Sequence, residues 1–485
     1  MTSSAGRIFA RYAPAGIGLA AGLCGSTALA QKYDGSGSPT AIPHTLQQAL
    51  ANAYLTNPTL QEERATLRAT DEQVPTALAG WRPTIQGSMA LSYYQGSTSY
   101  GTYGGVVQPP RTYATPGYAG QLSITQPLYS GGHTTAATHQ AVNRVMAERA
   151  RLIATEQQVF SNVVQAYIGV VEDEQLLQLD INNEHVLEQQ VAATETRFHA
   201  GEITQTDVAQ ARAALASARA TRQQAEGTLQ TAQATYLQIV GQAPPPNLIP
   251  PQPLALPVKS EQEAVGLAVQ NNPNVVNALF TEASQKDAVA VAVSAIMPKI
   301  SAEAAYTHSI NQGYSGYGTD NKYALLNFNI PIYQGGSEYA AVRQARQQAM
   351  ASHRDVDVQR RAALQLAASN WQQMMAYQAA ISSNRVAISA NVVALDGVER
   401  QAIVGTSTTL AVLQQQETLL QSQIALVQSL SSLVQASYNV AAAIGRLTAV
   451  DLQLQVPLYD EKAYYKAVKD RLWGINDYAV GQPGR

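Results

Sequence analysis

The chain has 485 residues, of which 46% are hydrophobic and only 13% charged, and its formal net charge is −3. That balance excludes the basic footprint of a nucleic-acid binder. A single cysteine, Cys24, excludes an internal disulfide.

The first residues point to export. Arg7 and Arg11 precede a weakly apolar run from Ala13 to Cys24, and Ala28-Leu29-Ala30 then precedes Gln31. A basic flank, a short apolar core and a small-x-small site together read as a signal peptide over residues 1–30. The apolar core is too short to span a bilayer. Lipidation at Cys24 is the alternative, but a lipobox wants a small residue before the cysteine and Leu23 stands there. Cleavage after Ala30 removes Cys24 and two positive charges, taking the net charge from −3 to −5. Beyond it no apolar run approaches the roughly 20 residues of a membrane helix. The exported chain is therefore periplasmic, extracellular or a β-barrel.

Internal repetition organises the rest. Asn57-Pro58 recurs as Asn272-Pro273, and Pro83 as Pro298, both 215 residues on. Pro127, Gly131 and Gly132 recur as Pro331, Gly335 and Gly336, 204 residues on, as do Gly201, Thr204 and Gly241 in Gly405, Thr408 and Gly445. The chain is a tandem duplication, with repeats at 31–242 and 259–448. The first repeat carries 11 extra residues between Pro83 and Pro127, which marks an exposed loop. The repeats are joined by a proline-rich connector, 243–258, which must be extended. Residues 449–485 form a C-terminal tail.

Each repeat opens with a helical stretch, about 44–79 and 260–295, broken at its Asn-Pro pair. Two alternating segments follow in each, near 82–96 and 118–130, then near 298–310 and 321–333. Ile85, Gly87, Met89, Leu91 and Tyr93 alternate with Gln86, Ser88, Ala90, Ser92 and Tyr94, and period two with one apolar face is the strand signal. Such segments match the 9–11 residues of a tilted membrane strand. A soluble hairpin with one buried face is the alternative. Half of the 24 tyrosines lie at 93–129 or 306–333, as interfacial aromatic girdles require, which favours membrane strands. The segments Gly96–Gly117 and Gln312–Asp320 read as external loops. Lys299 and Glu303 fall on the polar face of one strand, where they line water in a lumen or bias the charge of what passes.

After each Gly-Gly pair, 133–200 and 337–404 contain no proline. A helix of that length spans about 100 Å. Shorter helices follow at 205–240 and 409–444. Heptads such as Val145, Leu152, Val159, Ala166 and Ile381, Ile388, Leu395, Ala402 predict coiled-coil packing. Gly201 and Gly405 supply left-handed helix ends, and Thr204 and Thr408 cap the returning helices. Both hairpins thus place a tip far from the strands: Gly201, Glu202 and Thr204 in one, Gly405, Thr406 and Thr408 in the other. Four strands cannot close a barrel, and open edges in lipid cost several kcal/mol per unpaired group, so more than one copy must assemble.

These duplicated halves, the Pro-(Leu/Ile)-Tyr-x-Gly-Gly element and the glycine-marked tips resemble the TolC family over Leu46 to Thr448. The resemblance implies an α+β membrane protein. In it a homotrimer gives four strands per protomer to a twelve-stranded β-barrel in the outer membrane, continued by a long α-helical coiled-coil periplasmic tunnel. It implies tips that dock a periplasmic adaptor (membrane fusion) protein, and an ABC or proton-driven inner-membrane pump that supplies energy for efflux or type I secretion. It also implies acidic residues ringing the aperture, but the matching positions are Ala411 and Gln414. Asp207, Ser407 and Gln414 remain as polar aperture candidates, with Asp207 equally readable as a capping-box partner of Thr204. The seven histidines show no metal-ligand spacing and no Walker loop is present. No metal, cofactor or catalytic site is expected. A passive porin and a non-conducting coiled-coil surface protein are the competing classes.

Overall fold

The computed structural model describes residues 42–98, 111–312 and 316–475. The expected signal peptide and the end of the C-terminal tail lie outside them. In chain order, α1 (Leu46–Thr56), α2 (Pro58–Asp71) and α3 (Gln73–Leu78) lead to a strand pair, β1 (Thr84–Thr98) and β2 (Arg111–Tyr129). The hairpin of α4 (His133–His199) and α5 (Gln205–Val240) follows. The second half repeats the plan with α6 (Glu261–Asn271), α7 (Pro273–Val293), β3 (Lys299–Ile310), β4 (Gly318–Asn329), α8 (Ser337–Ile403) and α9 (Thr409–Ala443). A short α10 (Ala463–Val468) is the last described helix.

The Asn-Pro breaks do more than stop a helix. Asn57 caps α2 by accepting from the Thr59 N–H at 3.0 Å, while its Nδ2 donates to the Ile239 carbonyl at 3.0 Å. Asn272 does the same in the second repeat, toward Asn274 N–H and the Ala443 carbonyl. One side chain therefore starts a helix and ties it to the orphan carbonyls of the helix that ends beside it.

The main core lies where α1, the middle of α4 and the ends of α5 and α9 meet, around Leu50, Leu60, Phe160, Val163, Tyr167, Tyr236 and Leu447. Tyr167 is fully buried and its hydroxyl donates to the His44 carbonyl at 2.8 Å and the Ile249 carbonyl at 2.9 Å. The proline-rich connector is thereby held as an extended strap, and the Ile249 N–H closes on the His44 carbonyl at 3.1 Å. A smaller core, with Val258, Ala264, Val275, Ala367 and Ile444, serves the second repeat. The two hairpins are zipped differently. Arg219 and Arg222 pair with Glu184 across α4 and α5, whereas Asn384 and Asn391 of α8 meet Ser429 and Ser422 of α9.

Several expected boundaries move. The first helical stretch is three helices, because a break at Glu72 follows the one at Asn57. The second is two helices and a short 3-10 turn, Ser294–Ile296. Strand β2 begins at Arg111, so Arg111–Gly117, expected in a loop, pairs rung by rung with Ser92–Thr98. At 15 and 19 residues, β1 and β2 are longer than the 9–11 residues expected of a tilted membrane strand. Residues 99–110 of the expected loop lie outside the described residues. Strand β4 runs from Gly318 to Asn329, earlier than the expected 321–333. Pro331 has no N–H to extend the ladder.

The tail is tightly held. Arg64 is buried and its guanidinium lies 4.6 Å from the Tyr54 ring centre and 5.2 Å from that of Tyr459. The Tyr459 N–H donates to the Tyr54 hydroxyl and the Tyr464 hydroxyl to Glu72. Beneath this tail, Glu156 of α4 accepts from the Ala449 N–H at 2.6 Å, and desolvation lifts its carboxyl to about 7. Because the folded value lies above the ordinary carboxylate range, the folded state holds the proton more tightly than the unfolded chain. Stability is then fully present at low pH and is lost as pH rises through about 7. Glu156→Gln is expected to flatten that dependence by on the order of 2 kcal/mol between pH 5 and 8. Urea titrations of the detergent-solubilised protein at several pH values would measure it. An unchanged slope in the variant would refute the assignment.

Candidate functional site

Two regions carry the surface features that the sequence pointed to: the sheet and the hairpin tips. The sheet has the order β1-β2-β3-β4, antiparallel throughout, with β1 and β4 as open edges. Register sorts its side chains. Ile85 opposes Ile124, Ile124 opposes Ala304, and Ala304 opposes Ala324. One face therefore carries Ile85, Met89, Leu91, Tyr93, Leu122, Tyr306, Leu326 and Phe328, every one of them exposed within a single chain. The other carries Gln86, Ser88, Ser92, Gln121, Ser123, Thr307 and Asn327, together with Lys299 and Glu303. Lys299 is exposed. Glu303 accepts from the Tyr323 hydroxyl at 3.3 Å and from Asn327 Nδ2 at 3.4 Å.

At the inner end of the strands the glycine pairs turn the chain from strand to helix. Gly131 and Gly132 have φ of 66° and 82°, and Gly335 and Gly336 have 74° and 85°. Gly131 is the crowded one, since an added Cβ would lie 2.7 Å from Met297 Cβ. Pro127 sits at a register shift in β2 opposite Ser301, and Pro331 lies just beyond β4.

At the far end both tips close by the same hydrogen bonds. Glu202 N–H donates to the Arg197 carbonyl and Gly201 N–H to that of Phe198. Thr406 and Gly405 repeat the pair toward Gln401 and Ala402. Those are the two bonds of a Schellman end, with left-handed Gly201 and Gly405. Arg197 then reaches across to the Ala402 carbonyl at 3.2 Å, linking one tip to the other.

The returning helices differ. Thr204 Oγ1 accepts from the Asp207 N–H, and the Asp207 carboxylate accepts from the Thr204 N–H at 3.0 Å and its hydroxyl at 2.7 Å. These bonds hold the Asp207 carboxyl below its ordinary range. Thr408 accepts from the Ala411 N–H, but the methyl of Ala411 has no acceptor to return the bond. Asp207 is thus placed as a capping partner. Asp207→Asn is expected to cost about 1 kcal/mol locally, seen as faster hydrogen exchange in the first turn of α5, with conductance unchanged. A conductance change with normal exchange would instead assign it to the aperture.

Ser407 is half-buried, its N–H on the Gln401 carbonyl. Gln414 is not brought to Asp207 or Ser407. It lines a 670 Å³ cavity between the hairpins, with Asp180, Leu187, Gln210, Leu413 and Glu417. Asp180 is buried there, and desolvation, with Glu417 nearby, pushes its carboxyl up. Sequence reasoning missed it, although the heptad from Val145 through Ala166, continued by sevens, lands on Asp173, Asp180 and Leu187. The exposed apolar residues of the tips, Phe198, Ile403 and Val404, were also missed. Among the described residues no group of His, Cys, Asp or Glu could hold a metal ion, and no helix is long and apolar enough to cross a membrane.

The family model for outer membrane efflux proteins matches residues 45–242 and 264–446. Outer membrane efflux protein BepC of Brucella suis is 35% identical over 436 residues, covering 90% of this chain and 92% of that protein. Outer membrane protein TolC of Escherichia coli is 24% identical over 84% of this chain and 83% of its own length. Among solved structures, the outer membrane protein VceC of Vibrio cholerae superposes with a TM-score of 0.71 at 20% identity, covering 82% of this chain and 96% of that one. With both repeats matched and a relative similar over nearly its whole length, the chain belongs to the outer membrane efflux protein family and is a protein of the outer membrane.

Proposed function

We propose that this protein is the exit duct of a tripartite efflux or type I secretion assembly, a passive conduit driven by an inner-membrane pump. One observation carries the reading. A four-stranded sheet with an exposed apolar face and two open edges continues directly into helices of 67 residues, α4 and α8. Lipid satisfies the apolar face, and only pairing of β1 with β4 of another copy satisfies the edges. Three copies give twelve strands. The exposed apolar residues of α8, Met350, Val358, Val386 and Val393, support the same assembly, because a neighbouring copy can cover them. The polar face then lines the lumen with Lys299 and Glu303.

The tips are the docking surface for a periplasmic adaptor protein. Ile403 and Val404, 77% and 72% exposed beside Gly405, are the apolar anchors such contacts need. To test this, a cysteine replaces Thr406 and carries a photo-crosslinker, and cell envelopes are irradiated. Capture of a periplasmic adaptor supports the duct, and the transporter partnered by that adaptor names the pathway. Capture of extracellular components alone would overturn it, as would a purified protein that opens no conductance in planar bilayers.

A further inference from the structure

We infer that the C-terminal segment Leu472–Ile475 is an interfacial anchor that seats in the inner, glycerophospholipid leaflet of the outer membrane. The inference rests on the barrel reading above. Leu472, Trp473 and Ile475 are 71%, 86% and 88% exposed, three large apolar side chains within four residues. Their position is fixed by the fold. Arg82 Nη1 donates to the Arg471 carbonyl at 2.7 Å, and Arg82 stands two residues before β1 enters the sheet. The Arg471 Nε returns to the Trp473 carbonyl at 2.9 Å, so the segment is held at its base. Upstream, the Tyr465 ring lies under the Arg149 guanidinium at 5.4 Å, which fastens α10 against α4.

That location is the ring where strands become helices. Trp81, Leu128, Tyr129 and Tyr333 lie at the same junction and are also exposed, 45% to 75%. The segment is thus continuous with the aromatic girdle at the inner edge of the apolar band. Tryptophan beside aliphatic side chains, flanked by Lys469, Arg471 and Arg82, has the chemistry of the headgroup boundary of a bilayer containing anionic phospholipid. Asp470 before the segment and Asp477 after it are the acidic neighbours in sequence, against the three cations. The segment gives the chain a membrane contact outside its barrel.

The protein has three tryptophans, Trp81, Trp371 and Trp473. Trp81→Phe with Trp371→Phe leaves Trp473 as the sole reporter in the full chain. It is reconstituted in phosphatidylethanolamine–phosphatidylglycerol vesicles with acyl chains brominated either near the carbonyl or deep in the chain. Shallow bromines are expected to remove roughly half of the emission and deep ones far less, with a blue shift relative to aqueous tryptophan. Quenching by aqueous iodide instead would overturn the inference. So would protection from both quenchers, which would mean that a neighbouring subunit covers the segment. A bimane-labelled Leu91→Cys chain separates the two readings. If deep bromines quench it while Trp473 stays in water, the anchor alone fails; if they do not, the barrel fails. Should the double phenylalanine variant not fold, Trp473→Cys labelled with bimane gives the same readout.

Discussion

Replacing Tyr167 by alanine is expected to destabilise the protein by about 4 kcal/mol, the cost of emptying a fully buried aromatic site. The ring packs 6.3 Å from that of Tyr236 in the main core. Tyr167→Phe isolates the polar share. It keeps the packing but leaves the His44 and Ile249 carbonyls without this donor, an expected loss of about 1–2 kcal/mol. Urea titration of the detergent-solubilised protein, followed by helical circular dichroism, measures both. Equal losses in the two variants would show that the hydroxyl, not the ring, holds the strap. In the alanine variant, the chain around His44 and Ile249 should also become the first site of proteolysis.

The second large effect concerns a glycine pair that the repeat makes equivalent. Gly241 and Gly445 both end a returning helix with φ near 80°. An alanine at Gly241 would meet only Thr56 Oγ1 at 3.7 Å, so Gly241→Ala carries just the left-handed penalty of about 1–2 kcal/mol. At Gly445 the new Cβ would be driven into the Asn271 carbonyl. Asn272, the next residue, is the clamp on Ala443. Relieving the overlap pushes α6 away from α9 and strains that clamp, so Gly445→Ala is expected to cost about 3–4 kcal/mol. The same titration compares them. Similar losses at the two sites would show that the second repeat yields where the close contact says it cannot.

The duplication, the long helices and the strand faces were legible because each has a period that sequence displays: 204 residues, seven and two. Helix ends were legible through glycine and threonine. What escaped depends on contacts between distant segments. Nothing in residues 111–117 distinguishes loop from strand, since Thr, Tyr and Gly suit both, and only pairing with β1 decides it. The double duty of Asn57 and Asn272 is invisible until Ile239 and Ala443 are seen beside them. Asp180 shows a subtler failure. Its heptad position was readable, but an acidic residue interrupts the apolar stripe that marks a heptad. The tip residues Ile403 and Val404 look like ordinary helix interior in sequence and are exposed only because the hairpin ends there.

Both long helices contain 67 residues. A heptad deleted from each arm of the first hairpin, α4 and α5, would keep both stripes in phase yet shorten that hairpin by about 10 Å. Its tip would then stand two turns short of its sibling, and the Arg197 bridge to Ala402 would have nothing to reach. Deleting the matching heptads from α8 and α9 restores a level rim. Reach across the periplasm is therefore inherited in duplicate, and can be lengthened or shortened only in paired steps.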